Sequence, residues 1–250
     1  MIALGLAGSI AYSLVSLILG VRLLRLARRT HQLPELLIGI MFISGGMLGH
    51  TLAWAFPFIA RVVSSPLALV VLEFVCRLGI AGGCAATLVA AWRIFRPDRP
   101  WAGVLVGVMV TMLVPFVLPK ILMVGAATAP LRVPLYWGWS IASVLSYGWM
   151  AGESLNTQSQ MRRRNRLGLG GDPALTGRLL LWGLGTGAKA LLFASLVIYQ
   201  ILAAVGIPAR LPQSVVVSGL GLFCSVCLWL AFFPPRGSRL ADRPASAEAS

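Results

Sequence analysis

The chain has 250 residues, of which 58% are hydrophobic and 11% charged, with a mean hydropathy of +0.86 and a formal net charge of +14. Such a composition excludes a water-soluble globular domain and points to a membrane protein. Twenty-one Lys and Arg against seven Asp and Glu would suit a nucleic-acid binder, but the bases fall in separate clusters between apolar stretches and form no continuous binding face, so no nucleic-acid partner is expected.

The hydropathy pattern predicts an all-α bundle of seven transmembrane helices, over about 2–24, 35–60, 67–93, 102–126, 135–155, 176–204 and 214–233. Crossing about 30 Å of hydrocarbon at about 1.5 Å per residue takes roughly 20 residues per span, so residues 1–235 are used up by the bundle. Residues 236–250 (RGSRLADRPASAEAS) read as a small, polar, disordered tail. Pro34, Pro66, Pro100, Pro134, Pro173 and Pro212 stand at the starts of spans two to seven, where the missing N–H costs nothing. Ser65 and Asp172 read as N-caps, and Pro234-Pro235 as the stop of the last helix.

The first apolar segment has no basic residue before it and four arginines after it, which is an anchor inserted N-end out and not a secretory signal. The connections after spans one, three and five, together with the tail, hold fifteen arginines, from Arg22 to Arg243. The opposite connections hold Arg61, Arg132 and Arg210. The positive-inside rule then predicts an outer N-terminus and a cytoplasmic C-terminus. Nineteen Arg against two Lys, with abundant Ala and Gly, suggest a GC-rich genome and hence the inner membrane of a bacterium. Trp54, Phe58, Trp137, Trp139, Trp101 and Trp229 fall near the span ends as an interfacial belt. Glycine pairs such as Gly45-Gly46 and Gly82-Gly83 allow close helix approach, within the bundle or in a homodimer.

Ionisable residues inside spans carry the functional signal, because each is costly in hydrocarbon unless paired or hydrated. Glu73 and Arg77 lie one turn apart in span three, roughly 9 and 15 Å from its outer end. Lys189 sits about halfway along span six, His50 in the outer half of span two, and Lys120 near the outer end of span four, after Pro115 and Pro119. In one reading Glu73 and Arg77 pair to lock helices and Lys120 snorkels outward. That leaves Lys189 without a carboxylate at its depth. In the other, His50, Glu73, Arg77, Lys189 and Lys120 line an outward-facing site for a small anionic or oxygen-rich ligand.

Other chemistry finds little support. Two histidines cannot form an intramembrane metal or bis-histidine haem site, and Cys224-Ser-Val-Cys227 lies mid-span without a relay pair, so no cofactor is expected. Gly168-Leu-Gly-Gly171 lacks the strand and Lys-Ser/Thr of a phosphate loop and reads as connector. Glu153 is expected to pair with the arginines of 162–166, within a basic loop 156–172 suited to lipid headgroups or a cytoplasmic partner protein. Seven spans with the N-terminus outside are similar in layout to microbial rhodopsins, yet span seven has no lysine. Small sugar transporters built as three-plus-one-plus-three share the topology, yet Glu73 and Arg77 have no counterpart in span seven. The expectation is a non-enzymatic, receptor-like or sensory protein, with small-solute transport through the same cluster as the alternative.

Overall fold

The computed structural model describes residues 2–117, 134–169, 172–207 and 213–233. Seven helices make up the described chain: α1 (Ile2–Thr30), α2 (Leu33–Val62), α3 (Pro66–Phe95), α4 (Pro100–Val117), α5 (Pro134–Arg166), α6 (Pro173–Ala204) and α7 (Gln213–Phe232). Lys120, Pro119, Pro212, Arg132, Arg210 and the tail 236–250 lie outside the described residues. Six helices are long and apolar enough to cross a membrane, the composition of a multi-pass helical membrane protein. Large apolar side chains face outward on them, including Val62, Leu67, Val104 and Leu191, each more than 60% exposed.

The exception is α5. It is 33 residues long, but Ser, Tyr, Trp and Gly dilute its apolar half and Glu153 to Arg166 make its second half polar. The hydroxyls of Ser140, Ser143, Ser146, Tyr147 and Ser154 face neighbouring helices. Ser143, Ser146 and Ser154 are fully buried, and Ser146 and Ser154 donate to Ser143 O and Met150 O at 2.8 and 2.7 Å. A helix whose polar side chains are turned inward and bonded to its own carbonyls has no need of an apolar circumference. The basic stretch expected as a loop from 156 is helical to Arg166, because Gln, Met and Arg favour helix and the closing arginines complement the carbonyl end of the dipole.

The helix ends follow local chemistry. Ser65 Oγ accepts from Ala68 N at 3.4 Å and Asp172 Oδ1 from Ala174 N at 2.8 Å, with Pro66 and Pro173 as first helical residues. Gly168 (φ +67°) ends α5 and Gly206 (φ +72°) ends α6, each followed by an N–H that reaches back five residues, Leu169 to Arg164 O and Ile207 to Leu202 O.

In the middle of α2, expected as an ordinary helix, Met41–His50 is π-helical. Gly45, Gly46 and Gly49 remove the side chains that would resist the wider turn, and the same glycines bring α2 against its neighbours. A Cβ on Gly83 of α3 would stand 2.5 Å from Gly45 Cα, and one on Gly79 would stand 2.9 Å from Gly49 N. On the other flank, a Cβ on Gly46 would stand 2.6 Å from Ser16 Cβ of α1. The two backbones of α2 and α3 are therefore in direct contact, and the stripe read as a packing surface is used within the chain.

Overpacking a tight interior contact costs roughly 1–3 kcal/mol. Gly83→Val is therefore expected to lower the melting temperature in detergent clearly, while Gly107→Ala, where a Cβ meets nothing within 4 Å, should leave it unchanged or slightly raised. Equal responses from the two variants would refute the backbone-contact account.

Candidate functional site

Lys189 of α6 is 5% exposed, deep in the bundle. Its Nζ lies 4.1 Å from the centroid of the Tyr12 ring of α1 and 5.6 Å from that of Phe193, one turn on. The Tyr12 ring in turn meets His50 edge-on at 4.8 Å, and Phe193 stacks on Tyr147 of α5 at 5.6 Å. An ammonium over aromatic faces gains about 2 kcal/mol or more when shielded from water, which offsets part of the loss of hydration. Among the described residues no carboxylate comes within 4 Å of it.

His50 reaches this place through the π segment, whose last residue it is. An extra residue in the turns before it rotates everything that follows about the helix axis, relative to a regular helix. The register is held by Ser13 and Thr51, whose hydroxyls are 2.8 Å apart across α1 and α2. Beside them Ser16 is fully buried next to Tyr12, and its Oγ finds no hydrogen-bond partner of good geometry among the described residues. Orphaned buried hydroxyls are uncommon in native bundles, so Ser16 marks a polar spot next to Tyr12.

Glu73 and Arg77 form the second charged group. Arg77 Nη2 donates to Glu73 Oε1 at 2.6 Å, and its Nη1 donates to Phe116 O at 3.1 Å in α4. Phe116 stands in the last described turn of α4 (Pro100–Val117), where carbonyls lack an N–H partner within the helix and are open to the guanidinium. Arg77 also lies 5.1 Å from the Phe116 ring. That ring stacks on Trp139 at 4.1 Å, and Trp139 meets Phe193 edge-on at 6.3 Å.

His50 and Lys189 thus converge on Tyr12, whereas Glu73 is held by Arg77 in a separate pair. The two groups are linked by rings running from Phe116 through Trp139 to Phe193, and not by a charge contact. Helical spacing could anticipate the Glu73–Arg77 pair. It could not anticipate Tyr12, Phe193, Trp139 or Phe116, because aromatic residues in apolar spans are unremarkable until the helices are assembled. Lys120, the fifth expected site residue, lies outside the described residues.

Glu153 has a different partner from the one expected. Arg96, just past the end of α3, donates to it from Nε and Nη2 at 2.7 and 3.1 Å, and Trp149 Nε1 adds a third bond at 3.2 Å. Arg162 is nine residues further along the same helix, roughly 13 Å away along the axis, too far to compete. The four cysteines are free and buried, and Cys84 Sγ lies 3.9 Å from Ser143 Oγ. Among the described residues no group of three or more metal-binding side chains gathers.

The fold and this site define a helical bundle of membrane type with an aromatic-caged internal lysine. Comparison of the chain with protein-family models, curated proteins and solved structures returns no match.

Removing one member of a buried ion pair costs about 3–5 kcal/mol, and the lower end applies here because Glu73 keeps 22% of its exposure. Arg77→Met is expected to destabilise more than the double variant Glu73→Gln/Arg77→Met, which leaves no stranded carboxylate. Unfolding in mixed micelles measures both, and a double variant that is the weaker of the two would overturn the pairing.

Proposed function

We propose that this chain is a non-enzymatic, seven-span protein of a bacterial inner membrane, with its N-terminus outside and its C-terminus in the cytoplasm, that senses a small anionic or oxygen-rich ligand. The ligand enters from the outer side toward His50, Glu73, Arg77 and Lys189, with Lys120 as an outer cation. The observation that carries this reading is Lys189, a buried ammonium that meets aromatic rings and, among the described residues, no carboxylate. Rings compensate a lone cation only partly, so an anionic group close to Tyr12 and Ser16 would gain a charge-assisted bond already desolvated on the protein side. The orphaned Ser16 hydroxyl adds a donor at the same place.

Sensing needs an element with two arrangements. The π segment of α2 is the natural one, since a π turn can revert to α by passing one residue along the helix, which turns His50 by about 100°. Occupation beside Tyr12 would favour one register. The shift would then pass along α2 to the arginine-rich face, where a partner protein could read it at the basic end of α5. Crossing of the membrane by α5 is compatible with its polar composition because the hydroxyls from Ser140 to Ser154 are covered by neighbouring helices.

A thermal-shift screen of the detergent-purified protein against small carboxylates, phosphate, sulfate and sugars tests the site. A ligand at one hundred times its Kd should stabilise the wild type by about 2.7 kcal/mol. Lys189→Met should bind nothing yet melt at or above the wild-type temperature, because it replaces an unpaired buried charge by an apolar chain of similar length. A Lys189→Met protein that responds to every ligand as the wild type does would refute the site, and ligand flux into liposomes would shift the reading to transport.

Topology is tested separately, with reporter fusions at the two termini. Activity outside for the N-terminal fusion and inside for the C-terminal one is expected. Both termini on one side would mean six spans, with α5 lying within the bundle without crossing.

A further inference from the structure

At the arginine-rich end of the bundle, away from Lys189, a cavity of about 470 Å³ opens between α1, α2, α3, α6 and α7. Its size falls within the roughly 300–1,000 Å³ of small-molecule sites. Its floor is apolar and aromatic. Trp182 and Phe232 line it with an edge-on contact at 5.5 Å, each backed edge-on by the buried Phe42 at 6.0 and 6.2 Å, and Leu23 and Ile38 complete the wall. Its mouth carries Arg22 and Arg178.

A groove of about 710 Å³ adjoins it along the outer flank of α1 and shares Arg22 and Leu26 with it. The groove adds Arg25 and Arg29, and the 22, 25, 29 spacing puts the three guanidinium groups on one helix face. Leu17, Ile18 and Leu26 beside them are exposed, as lipid-facing residues are. Arg22 lies 4.5 Å from the Phe233 ring. Among the described residues, none of these four arginines has a carboxylate within 4 Å. Glu35, the carboxylate in the cavity wall, accepts a hydrogen bond from Thr30 Oγ1.

Two guanidinium groups at the mouth of an apolar cavity and two more along a lipid-facing groove, none with a carboxylate within 4 Å among the described residues, match one kind of molecule: a phosphate ester carrying two hydrocarbon chains. We infer that this end of the bundle is a binding site for an anionic glycerophospholipid, with its phosphodiester between Arg22 and Arg178, one acyl chain in the cavity on Trp182 and the other in the groove along α1. Guanidinium groups suit phosphate because their planar fork gives two parallel bonds. A soluble phosphate would satisfy the arginines but leave the apolar floor unfilled, and a neutral lipid would fill the floor but leave the arginines without a counter-charge. The site is independent of the ligand proposed at Lys189 and rests only on the protein lying in a membrane.

The test uses the full-length protein in nanodiscs of phosphatidylcholine doped with phosphatidylglycerol. Phosphatidylglycerol brominated on its acyl chains should quench tryptophan fluorescence, and Trp182→Phe should remove that part of the quenching. Native mass spectrometry should retain one phosphatidylglycerol per chain. Arg22→Gln/Arg178→Gln should weaken retention about thirtyfold. Arg162→Gln/Arg163→Gln, which removes the same charge from the same end outside the cavity, should change it little.

Ile38→Trp, which fills the cavity without touching charge, should also weaken retention, and its melting temperature in pure phosphatidylcholine reports whether it folds. Equal loss from the two arginine pairs would reduce the effect to diffuse surface charge and overturn the inference. So would retention unaffected by Ile38→Trp in a folded protein, or full competition by inorganic phosphate.

Discussion

Direct contact between the backbones of α2 and α3 is the constraint from which much of this bundle follows. In lipid, apolar side chains gain little from leaving their surroundings, so helices associate through close packing and polar contacts. Glycines at 45, 49, 79 and 83 allow that approach, and Cys76 Sγ, 3.5 Å from Gly49 O, lies along the same seam. The approach coincides with the π segment of α2, and that segment sets where His50 emerges. The histidine then meets Tyr12, and Tyr12 forms one face of the lysine cage. A packing feature in one helix pair thereby fixes the geometry of a polar site made from others.

Charge is handled in three ways along the bundle. Arg77 and Arg96 are neutralised by Glu73 and Glu153 at close range, one within a helix and one between helices. Lys189 is covered by rings. The arginines at the C-terminal end of α1 and the N-terminal end of α6 are left exposed around a cavity and its adjoining groove. Only the first is self-contained, since a carboxylate supplies the full counter-charge and the desolvation is shared within the pair. The other two leave positive potential available to a partner, one midway along the bundle and one at its arginine-rich end.

Much of the fold was legible in the chain. Helix starts could be read from prolines because a ring that fixes φ and lacks an N–H acts locally, whatever surrounds it. The caps at Ser65 and Asp172 are local for the same reason. The Glu73–Arg77 pair needed only the 3.6-residue period. The partner of Glu153 is not legible from nearness in sequence, because a helix running on to Arg166 carries its arginines away from Glu153 while Arg96 comes to it from the end of another helix. The polar character of α5 was less visible, since aromatic and hydroxyl side chains blur a hydropathy window without declaring which way they face.

Sequence by itself determined the all-helical class, most of the helix starts and the small set of ionisable residues within the apolar stretches. Each depends on composition or on interactions within a turn or two of chain. Tertiary structure decided that Lys189 meets Tyr12 and Phe193, that His50 leaves α2 from a π turn, and that Arg22 and Arg178 share the mouth of one cavity. Those outcomes join residues up to 177 positions apart, as Tyr12 and Lys189 are. They depend on the rotation of each helix about its axis, which packing between helices sets and no single helix encodes.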